Sequence, residues 1–253
     1  MIQTEEFRNQ TVLITGASAG IGAAAAHAFG SRGAHVIVHY NTRRDAAEQV
    51  VKGIEAAGGA GETVQADLSS AEGIQSLCGW LLFHPVDILV NNAGSLVQRA
   101  KVLEFTPELM NQVLLLNFTS AFFVAQAVLP AMVKRKHGII VNISSVAARN
   151  GGGIGALAYA AAKAALSAMT KNMAKEFAPS GIRVNTVSPG TIDTDYHRAF
   201  STEQMLTNVK AATPAGRLGT SAEVADAILF LCSDGARFIQ GQALEVNGGF
   251  LMV

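Results

Sequence analysis

The sequence predicts an α/β fold in which a mostly parallel β-sheet carries helices on both faces. Short apolar runs alternate with longer helical patterns along the 253 residues, and this alternation is typical of parallel sheets. Hydrophobic residues make up 49% of the chain and charged residues 15%, which indicates a large core and little disorder. Because one α/β domain accommodates this length, we predict a single domain over residues 1–253.

Most of the predicted strands are short apolar runs, as in a parallel sheet that is covered on both faces. The predicted strands cover residues 11–15, 34–39, 62–66, 86–90, 138–143, 182–187 and 243–246. Helices are predicted for residues 20–32, 43–57, 70–83, 107–135, 157–178 and 221–232, with a further one near 202–210. In open parallel sheets, ligands bind at the carboxyl ends of the strands. The residues that follow each strand are therefore the candidates for a functional site.

A glycine-rich turn, residues 16–22, joins the first predicted strand to the first predicted helix. Glycine lets the backbone approach a pyrophosphate closely, and a helix N-terminus offers free N–H groups and a partial positive charge. The spacing is Gly-x-x-x-Gly-x-Gly rather than Gly-x-Gly-x-x-Gly, and glycine turns also close purely structural units. The strand–turn–helix–strand context nevertheless favours a dinucleotide site.

The end of the second strand indicates which dinucleotide is preferred. An NAD site usually has an acidic residue here, which binds the ribose 2′-hydroxyl, whereas residues 39–44 of this chain contain no carboxylate and the first one after the strand is Asp45. Thr42, Arg43 and Arg44 are suited to a 2′-phosphate, because a guanidinium makes forked contacts with phosphate. We predict a preference for NADP(H), with NAD(H) possible. The alternative is that both arginines are ordinary charges at a helix start.

Tyr159 and Lys163 lie four residues apart in an alanine-rich segment that is predicted to be helical. Residues at this spacing share a helix face. A nearby ammonium favours the phenolate and lowers the tyrosine pKa by about 1–3 units, which suits a tyrosine for proton transfer. The alternative is a packed tyrosine beside a solvated lysine.

Composition and motif patterns argue against several kinds of protein and site. The net charge is zero and no basic stripe is present, so nucleic acid is not the expected partner. Residues 1–10 lack the apolar core of a signal peptide, and the apolar stretch 121–133 is too short to span a bilayer. Cys78, Cys232 and the six histidines show no metal-ligand pattern. We expect a soluble cytoplasmic protein without a metal.

Small and polar residues follow four of the predicted strands. They form the segments Asp67-Leu68, Asn91-Asn92-Ala93-Gly94, Ser144-Ser145 and Ser188-Pro189-Gly190-Thr191. Each has a structural explanation as a helix cap or a turn. Their convergence on one edge of the sheet favours a site.

Together with the glycine turn, Asn117, Tyr159, Lys163 and Thr194, these segments resemble the short-chain dehydrogenase/reductase family, in the family's order and over essentially the whole chain. The resemblance implies a single-domain, Rossmann-like, doubly wound fold with seven strands and a nicotinamide cofactor. It implies that Asn117, Ser145, Tyr159 and Lys163 are catalytic. Tyr159 would donate a proton to a carbonyl oxygen that Ser145 holds. Lys163 would bind the nicotinamide ribose, and Asn117 would hold a water that links Lys163 to solvent.

The resemblance also predicts the cofactor contacts. Asp67 would contact the adenine, Asn91 the adenosine side, and Ile192 and Thr194 the nicotinamide carboxamide. The full set of predicted cofactor-binding residues is Gly16, Ser18, Ala19, Gly20, Ile21, Gly22, Tyr40, Asn41, Thr42, Arg43, Asp67, Leu68, Asn91, Ala93, Gly94, Tyr159, Lys163, Pro189, Gly190, Ile192 and Thr194.

One departure concerns the serine. Fourteen positions separate Ser145 from Tyr159, one more than is common in the family. Because glycines at 151–153 can absorb an extra residue without moving the serine, Ser145 remains the predicted catalytic serine, with Ser144 as its neighbour.

Besides Ser145 and Tyr159, the predicted substrate-binding residues are Arg99, Arg149 and His197, the last in a substrate lid over about 191–214. They suggest an anionic carbonyl substrate, unless the arginines are surface charges. The chain resembles 3-oxoacyl-carrier-protein reductases in general and keto-sugar-acid reductases in its loops. A non-catalytic nucleotide sensor is the alternative of a different class. The family resemblance implies a homotetramer, although a dimer is also compatible with the sequence.

Overall fold

The computed structural model describes residues 6–253, apart from the side chains of residues 196–198. A seven-stranded sheet in the order β3-β2-β1-β4-β5-β6-β7 forms its centre, and each pair of neighbouring strands is parallel. The strands are β1 Thr11–Ile14, β2 His35–Tyr40, β3 Ala60–Gln65, β4 Ile88–Asn91, β5 Gly138–Ile143, β6 Ile182–Pro189 and β7 Ala243–Val246. The predicted Rossmann-like sheet is confirmed. The chain crosses from one half of the sheet to the other between β3 and β4, which opens a crevice beside β1.

The helices cover both faces of this sheet. They are α1 Gly20–Gly30, α2 Arg44–Ala56, α3 Ala71–Leu81, α4 Pro107–Leu114, α5 Ser120–Arg135, α6 Ala147–Asn150, α7 Leu157–Phe177, α8 Asp195–Phe200, α9 Glu203–Ala212 and α10 Ser221–Cys232. The predicted helices all have a counterpart. The sequence did not predict α6 and α8, because six residues or fewer are too short to show a helical period.

The two faces of the sheet bury separate cores, and this explains the unbroken apolar strands. In β1, Val12 and Ile14 pack with α1, α2 and α10, while Leu13 packs on the opposite face with α3, α5 and α7. All three side chains are fully buried. Burying one such side chain stabilises the fold by about 1.5–3 kcal/mol, so the central strands are held from both sides and their carboxyl ends form a firm base for a site.

Residues 107–135 form one helical run, as predicted, but it is interrupted by a π turn at Leu115–Thr119. The run begins at Thr106, whose hydroxyl accepts a hydrogen bond from Leu109 N–H, and Pro107 suits the first helical position. Judged by length and composition alone, this run is long and apolar enough to cross a membrane. One side of the run packs in the core against the sheet and α3, as in the central helices of globular proteins.

Candidate active site

A cleft of about 920 Å³ opens at the carboxyl ends of the strands, where parallel sheets bind ligands. Of the predicted residues, its walls contain Gly16, Ser18, Ala19, Gly20, Ile21, Asn41, Thr42, Arg43, Asp67, Leu68, Ala93, Gly94, Arg99, Ser145, Tyr159, Lys163, Pro189, Gly190, Ile192 and Thr194. The fold thus brings most of the predicted site to one cavity, although these residues span nearly 180 positions of the chain.

Five predicted residues do not line the cleft: Gly22, Tyr40, Asn91, Asn117 and Arg149. Their surroundings, given below, indicate supporting positions behind or beside the cavity. The predicted substrate contact of His197 lies outside the described residues, because its side chain is not among them.

The glycine turn forms a cradle that side chains would fill. Gly16 and Gly20 have φ angles of +65° and +57°, in the left-handed region that favours glycine. A Cβ on Gly22 would lie 2.5 Å from the Gly16 carbonyl oxygen, so Gly22 permits the tight packing of α1 on the turn without touching the cavity itself. This cradle at the N-terminus of α1 fits the pyrophosphate of a dinucleotide.

Sequence reasoning missed His39, which fixes the glycine turn from below. Gly16 N–H donates to His39 Nδ1 over 3.0 Å, and the other ring nitrogen lies 3.1 Å from the Ala66 carbonyl oxygen. Because Nδ1 accepts, Nε2 carries the proton, and the ring is a neutral bridge between β2, β3 and the turn. Burial lowers the pKa of His39 to about 4, which keeps it neutral. A polar residue directly after the buried apolar run 36–38 was the signal that could have revealed it.

At the end of β3, Asp67 organises the loop that borders the adenosine end of the cleft. Its Oδ1 accepts hydrogen bonds from Ser69 Oγ at 2.6 Å, Ser69 N–H at 2.9 Å and Asn41 Nδ2 at 3.0 Å. These bonds, chiefly those from Ser69, lower the pKa of Asp67, so the carboxyl group is ionised at neutral pH. Asp67 therefore presents a fixed negative charge beside Asn41.

The two arginines after β2 have different orientations. Arg44 Nε donates to Tyr40 Oη over 3.0 Å and lies 3.9 Å from a Glu48 oxygen, so Arg44 turns along α2 and away from the cavity. Tyr40 is buried and supports Arg44 rather than the cleft. Arg43 lines the cleft and forms an ion pair with Asp195 of α8, with 3.5 Å between Nη1 and Oδ2.

Asn91 lies beneath the cleft in a buried polar network. Its Nδ2 donates to Asn142 Oδ1 over 3.0 Å and to the Ala121 carbonyl over 3.2 Å, and Asn142 in turn donates to Thr170 Oγ1. The network ties β4 and β5 to α5 and α7. Asn91 is thus buried away from the cleft, with its amide nitrogen engaged between the strands and the helices.

Lys163 is buried at the centre of the site. Its Nζ donates to the Ile143 carbonyl over 2.8 Å and lies 5.6 Å from the centre of the Tyr159 ring. Burial lowers the pKa of Lys163 to about 8, since a charged group is costly to remove from water. One helix face therefore holds a tyrosine beside an ammonium that still carries its proton at neutral pH.

Asn117 lies on the π turn and clamps the loop that follows β4. Its Oδ1 accepts from Ser95 N–H over 3.0 Å, while its Nδ2 donates to the carbonyls of Ser95 at 2.7 Å and Val113 at 2.9 Å. A Cβ on Gly94 would lie 2.7 Å from Asn117 Oδ1 and 3.0 Å from Lys163 Nζ. Gly94, Asn117 and Lys163 thus meet with no room for another atom, and Asn117 supports the site from behind the cleft wall.

Neighbouring serines at the end of β5 have different environments. Ser144 is buried, and its hydroxyl donates to the Lys163 carbonyl over 2.9 Å. Ser145 is half-buried in the cleft wall, and its Oγ accepts a 3.1 Å hydrogen bond from Ala147 N–H at the start of α6. Accepting this bond leaves the Ser145 hydroxyl proton able to donate to a ligand oxygen.

The predicted substrate arginines separate in the structure. Arg99 lines the cleft, where its Nε donates to the Phe200 carbonyl over 3.0 Å and its Nη1 to the Ile154 carbonyl over 2.9 Å. It therefore links the C-terminus of α8 to the glycine loop before α7. Arg149 instead turns toward β7 and lies 3.5 Å from a Glu245 carboxylate oxygen. No group of three or more His, Cys, Asp or Glu side chains suited to a metal occurs within the described part of the chain.

Comparisons with known proteins agree with this geometry. A family model described as enoyl-(acyl carrier protein) reductase matches residues 16–251. The 3-oxoacyl-[acyl-carrier-protein] reductase of Escherichia coli K12 is 41% identical over 249 residues, which cover 98% of this chain and 99% of that protein.

Solved structures resemble the whole fold. One, named as a candidate NAD(P)-dependent gluconate 5-dehydrogenase of Beutenbergia cavernae with bound NADP, has a TM-score of 0.91 and 35% identity, and the match covers 96% of this chain and 97% of that one. A 3-oxoacyl-[acyl-carrier protein] reductase of Brucella melitensis with bound NAD has a TM-score of 0.89 and 33% identity, over 100% of this chain and 95% of that one.

These relatives are named as reductases and dehydrogenases, which argues against the alternative of a nucleotide sensor without turnover. The glycine cradle, the pair formed by Tyr159 and the buried Lys163, and the family match over 236 residues support the same conclusion. The chain belongs to the short-chain dehydrogenase/reductase family and is an NAD(P)-dependent oxidoreductase that reduces carbonyl groups.

Proposed function

We propose that the protein uses NADPH to reduce a 3-oxoacyl thioester to the 3-hydroxyacyl thioester. The observation that carries this proposal is the cleft's arrangement of Tyr159 beside the buried ammonium of Lys163, with a donor-competent Ser145 hydroxyl in the same wall. When bound, the nicotinamide supplies a hydride to the carbonyl carbon. The chain's own residues then have to hold the oxygen and protonate it.

In this mechanism, the Ser145 hydroxyl donates a hydrogen bond to the substrate oxygen and stabilises the negative charge that develops there. Tyr159 donates its phenolic proton to the same oxygen. The Lys163 ammonium lies 5.6 Å from the centre of the Tyr159 ring, and its positive charge favours the phenolate that remains after the proton has left. Asn117 holds the Ser95 loop against Lys163, and its family role in a water chain stays a prediction.

We assign the cofactor preference to the nucleotide end of the cleft. Asn41, Thr42 and Arg43 line this end after β2, where an NAD site would have a carboxylate accepting from the 2′-hydroxyl. A guanidinium is suited to a 2′-phosphate. The glycine cradle of residues 16–22 would hold the pyrophosphate, and Ile192 and Thr194 lie in the wall near Gly190.

The substrate end of the cleft favours an acyl chain. The cleft wall includes the apolar side chains of Leu96, Val97, Leu206, Val209 and Phe250, and we place them at this end. An acyl chain buries apolar surface there, whereas the hydroxyl groups of a sugar would lose water without enough partners. We therefore favour the thioester over a polyhydroxylated substrate.

A keto sugar acid is the second candidate, and Arg99 is the observation in its favour. The guanidinium lines the cleft and is matched to a carboxylate. Two features weaken this candidate: Arg99 already binds two backbone carbonyls, and Arg149 pairs with Glu245. The guanidinium groups that would bind the substrate carboxylate thus already have partners within the protein.

Three further properties belong to the same proposal. The chain forms one domain, and residues 191–214, which include α8 and α9, act as a substrate lid. The protein is a cytoplasmic homotetramer in which the helical runs of 107–135 and 157–177 meet partner copies. The exposed parts of Phe122 and Phe123 support such a contact, because apolar surface gains free energy when it is covered. Analytical ultracentrifugation would test the assembly.

Steady-state oxidation of NADPH and NADH against a carbonyl panel tests the function. The panel contains a 3-oxoacyl thioester, keto sugar acids, and neutral ketones and aldehydes. We expect the thioester with NADPH to give the highest kcat/KM. Higher kcat/KM for a keto sugar acid would favour the second candidate, and equal values with NADH would refute the cofactor preference.

A further inference from the structure

Arg43 and Asp195 face each other across the nucleotide end of the cleft. Arg43 precedes α2 at the end of β2, while Asp195 is the first residue of α8, about 150 positions further along the chain. Their side chains line the cleft from opposite sides, with 3.5 Å between Nη1 and Oδ2. This ion pair joins the β2 end to the segment that covers the cleft.

The segment that carries Asp195 lies close to the glycine turn. A Cβ added to Gly20 would lie 3.5 Å from Thr194 Cγ2, so the space between Thr194 and the turn is about the size of one methyl group. Asp195 follows immediately and reaches from there to Arg43. Its carboxylate therefore lies between the pyrophosphate cradle and the β2 end, where the adenosine ribose of a dinucleotide binds.

Few cations compete with Arg43 at this position. Arg44 is turned away to Tyr40 and Glu48, while Arg99 and Lys163 lie at the substrate end of the cleft, within the part of the chain that the structure describes. Arg43 is thus the cation offered to a 2′-phosphate among the described cleft residues. It is already partnered by a carboxylate that would itself repel the phosphate.

We propose that Asp195 is a cofactor-specificity residue that competes with the 2′-phosphate for Arg43. NADP(H) binds by exchanging the Asp195 carboxylate for its phosphate on the Arg43 guanidinium, whereas NAD(H) leaves the ion pair in place. The charge of Asp195 therefore weakens the preference for NADP(H) that Arg43 creates. This inference rests on the proposed role of Arg43 in binding the 2′-phosphate.

The expected effect is modest because both side chains are well exposed, at 59% each. Exposed ion pairs contribute about 0.2–1 kcal/mol, which corresponds to roughly a 1.5- to 5-fold change in a dissociation constant. Removing the carboxylate should lower the dissociation constant of NADPH by about this factor and change that of NADH much less. The gain should shrink in about 0.5 M salt, since exposed charges are screened there.

The experiment measures dissociation constants of NADPH and NADH by nicotinamide fluorescence on the full chain. The proteins are wild type, Asp195→Asn, Arg43→Ala and the double variant. Asp45→Asn is the matched control, because Asp45 is an exposed carboxylate at the same end of the protein but does not line the cleft. It makes the same change in net charge without touching the ion pair.

We expect Asp195→Asn to tighten NADPH selectively, Asp45→Asn to have no selective effect, and the gain to vanish when Arg43 is Ala. Equal changes for NADPH and NADH, or a gain that persists without Arg43, would overturn the role of Asp195. If Arg43→Ala leaves the ratio of the two constants unchanged, the proposed 2′-phosphate site itself fails. If Arg43→Ala lowers the ratio of the NADH dissociation constant to the NADPH dissociation constant, but Asp195→Asn changes neither constant, only the competition by Asp195 is refuted.

Discussion

Adding one methyl group at Gly94 should disable the site while leaving the fold intact. The new Cβ would lie 2.7 Å from Asn117 Oδ1 and 3.0 Å from Lys163 Nζ. The first distance is about 0.7 Å short of ordinary van der Waals contact. Asn117 cannot easily retreat, because three hydrogen bonds hold its amide, and Lys163 is bonded to the Ile143 carbonyl. The loop, the lysine or both must therefore move.

We expect Gly94→Ala to lower kcat by about 10- to 100-fold, since a shift approaching 1 Å in a catalytic group costs up to about 100-fold. Overpacking should reduce the free energy of unfolding by about 1–3 kcal/mol. Gly79→Ala is the matched control, because nothing lies within 4 Å of its added Cβ and it sits inside α3. Gly79→Ala should retain the wild-type kcat, and its free energy of unfolding should rise by up to about 1 kcal/mol.

The assay combines carbonyl-dependent NADPH oxidation, NADPH fluorescence titration and urea unfolding. Because the added methyl points at Asn117 and Lys163, cofactor affinity should change less than kcat. Wild-type kcat in Gly94→Ala would show that the contact among Gly94, Asn117 and Lys163 tolerates another atom, and the close-packing argument would then be wrong.

The remaining predictions concern the proton donor, the serines and the buried lysine. Tyr159→Phe should abolish turnover and leave the NADPH dissociation constant nearly unchanged; near-wild-type kcat would refute its role as proton donor. Ser145→Ala should lower kcat about 100- to 1,000-fold, by analogy with loss of one oxyanion donor, and more than Ser144→Ala does; the reverse order would move the assignment to Ser144. Lys163 has a folded-state pKa of about 8 against an ordinary value of 10.5, so the unfolded state binds more protons between these values and stability rises with pH there. Relative to Lys163→Met, wild type should gain up to about 3 kcal/mol in free energy of unfolding from pH 8 to 10.5, measured in urea; parallel pH profiles of the two proteins would contradict this.

The site could be predicted from sequence where its residues follow strands. A turn such as residues 16–22, and a pair such as Tyr159 and Lys163, are local patterns whose spacing fixes their geometry. Parallel strands then bring their carboxyl ends together, so residues after different strands were expected to meet, and most of them line one cleft. The confirmed sheet explains why these local signals were sufficient to predict which residues would line the cleft.

Side-chain orientation was harder to predict because it depends on neighbours from distant parts of the chain. Arg149 and Arg99 both looked like anion-binding residues, yet Arg149 meets Glu245 on β7 and Arg99 meets backbone carbonyls at the end of α8 and in the loop before α7. Arg43 and Arg44 are adjacent in sequence, but Tyr40 and Glu48 draw only Arg44 away from the cleft. Charge and residue type were visible in the sequence, but the partners were not.

The sequence by itself determined the strand–helix order, the glycine cradle and the family, because these depend on residue type and short spacing. Only the tertiary structure decided that His39 supports the cradle, that Asn117 clamps the Ser95 loop and that Asp195 reaches Arg43. Each of these contacts joins residues more than 20 positions apart. These contacts form because helices and strands from distant parts of the chain pack together. A local sequence pattern does not show which distant residues will meet.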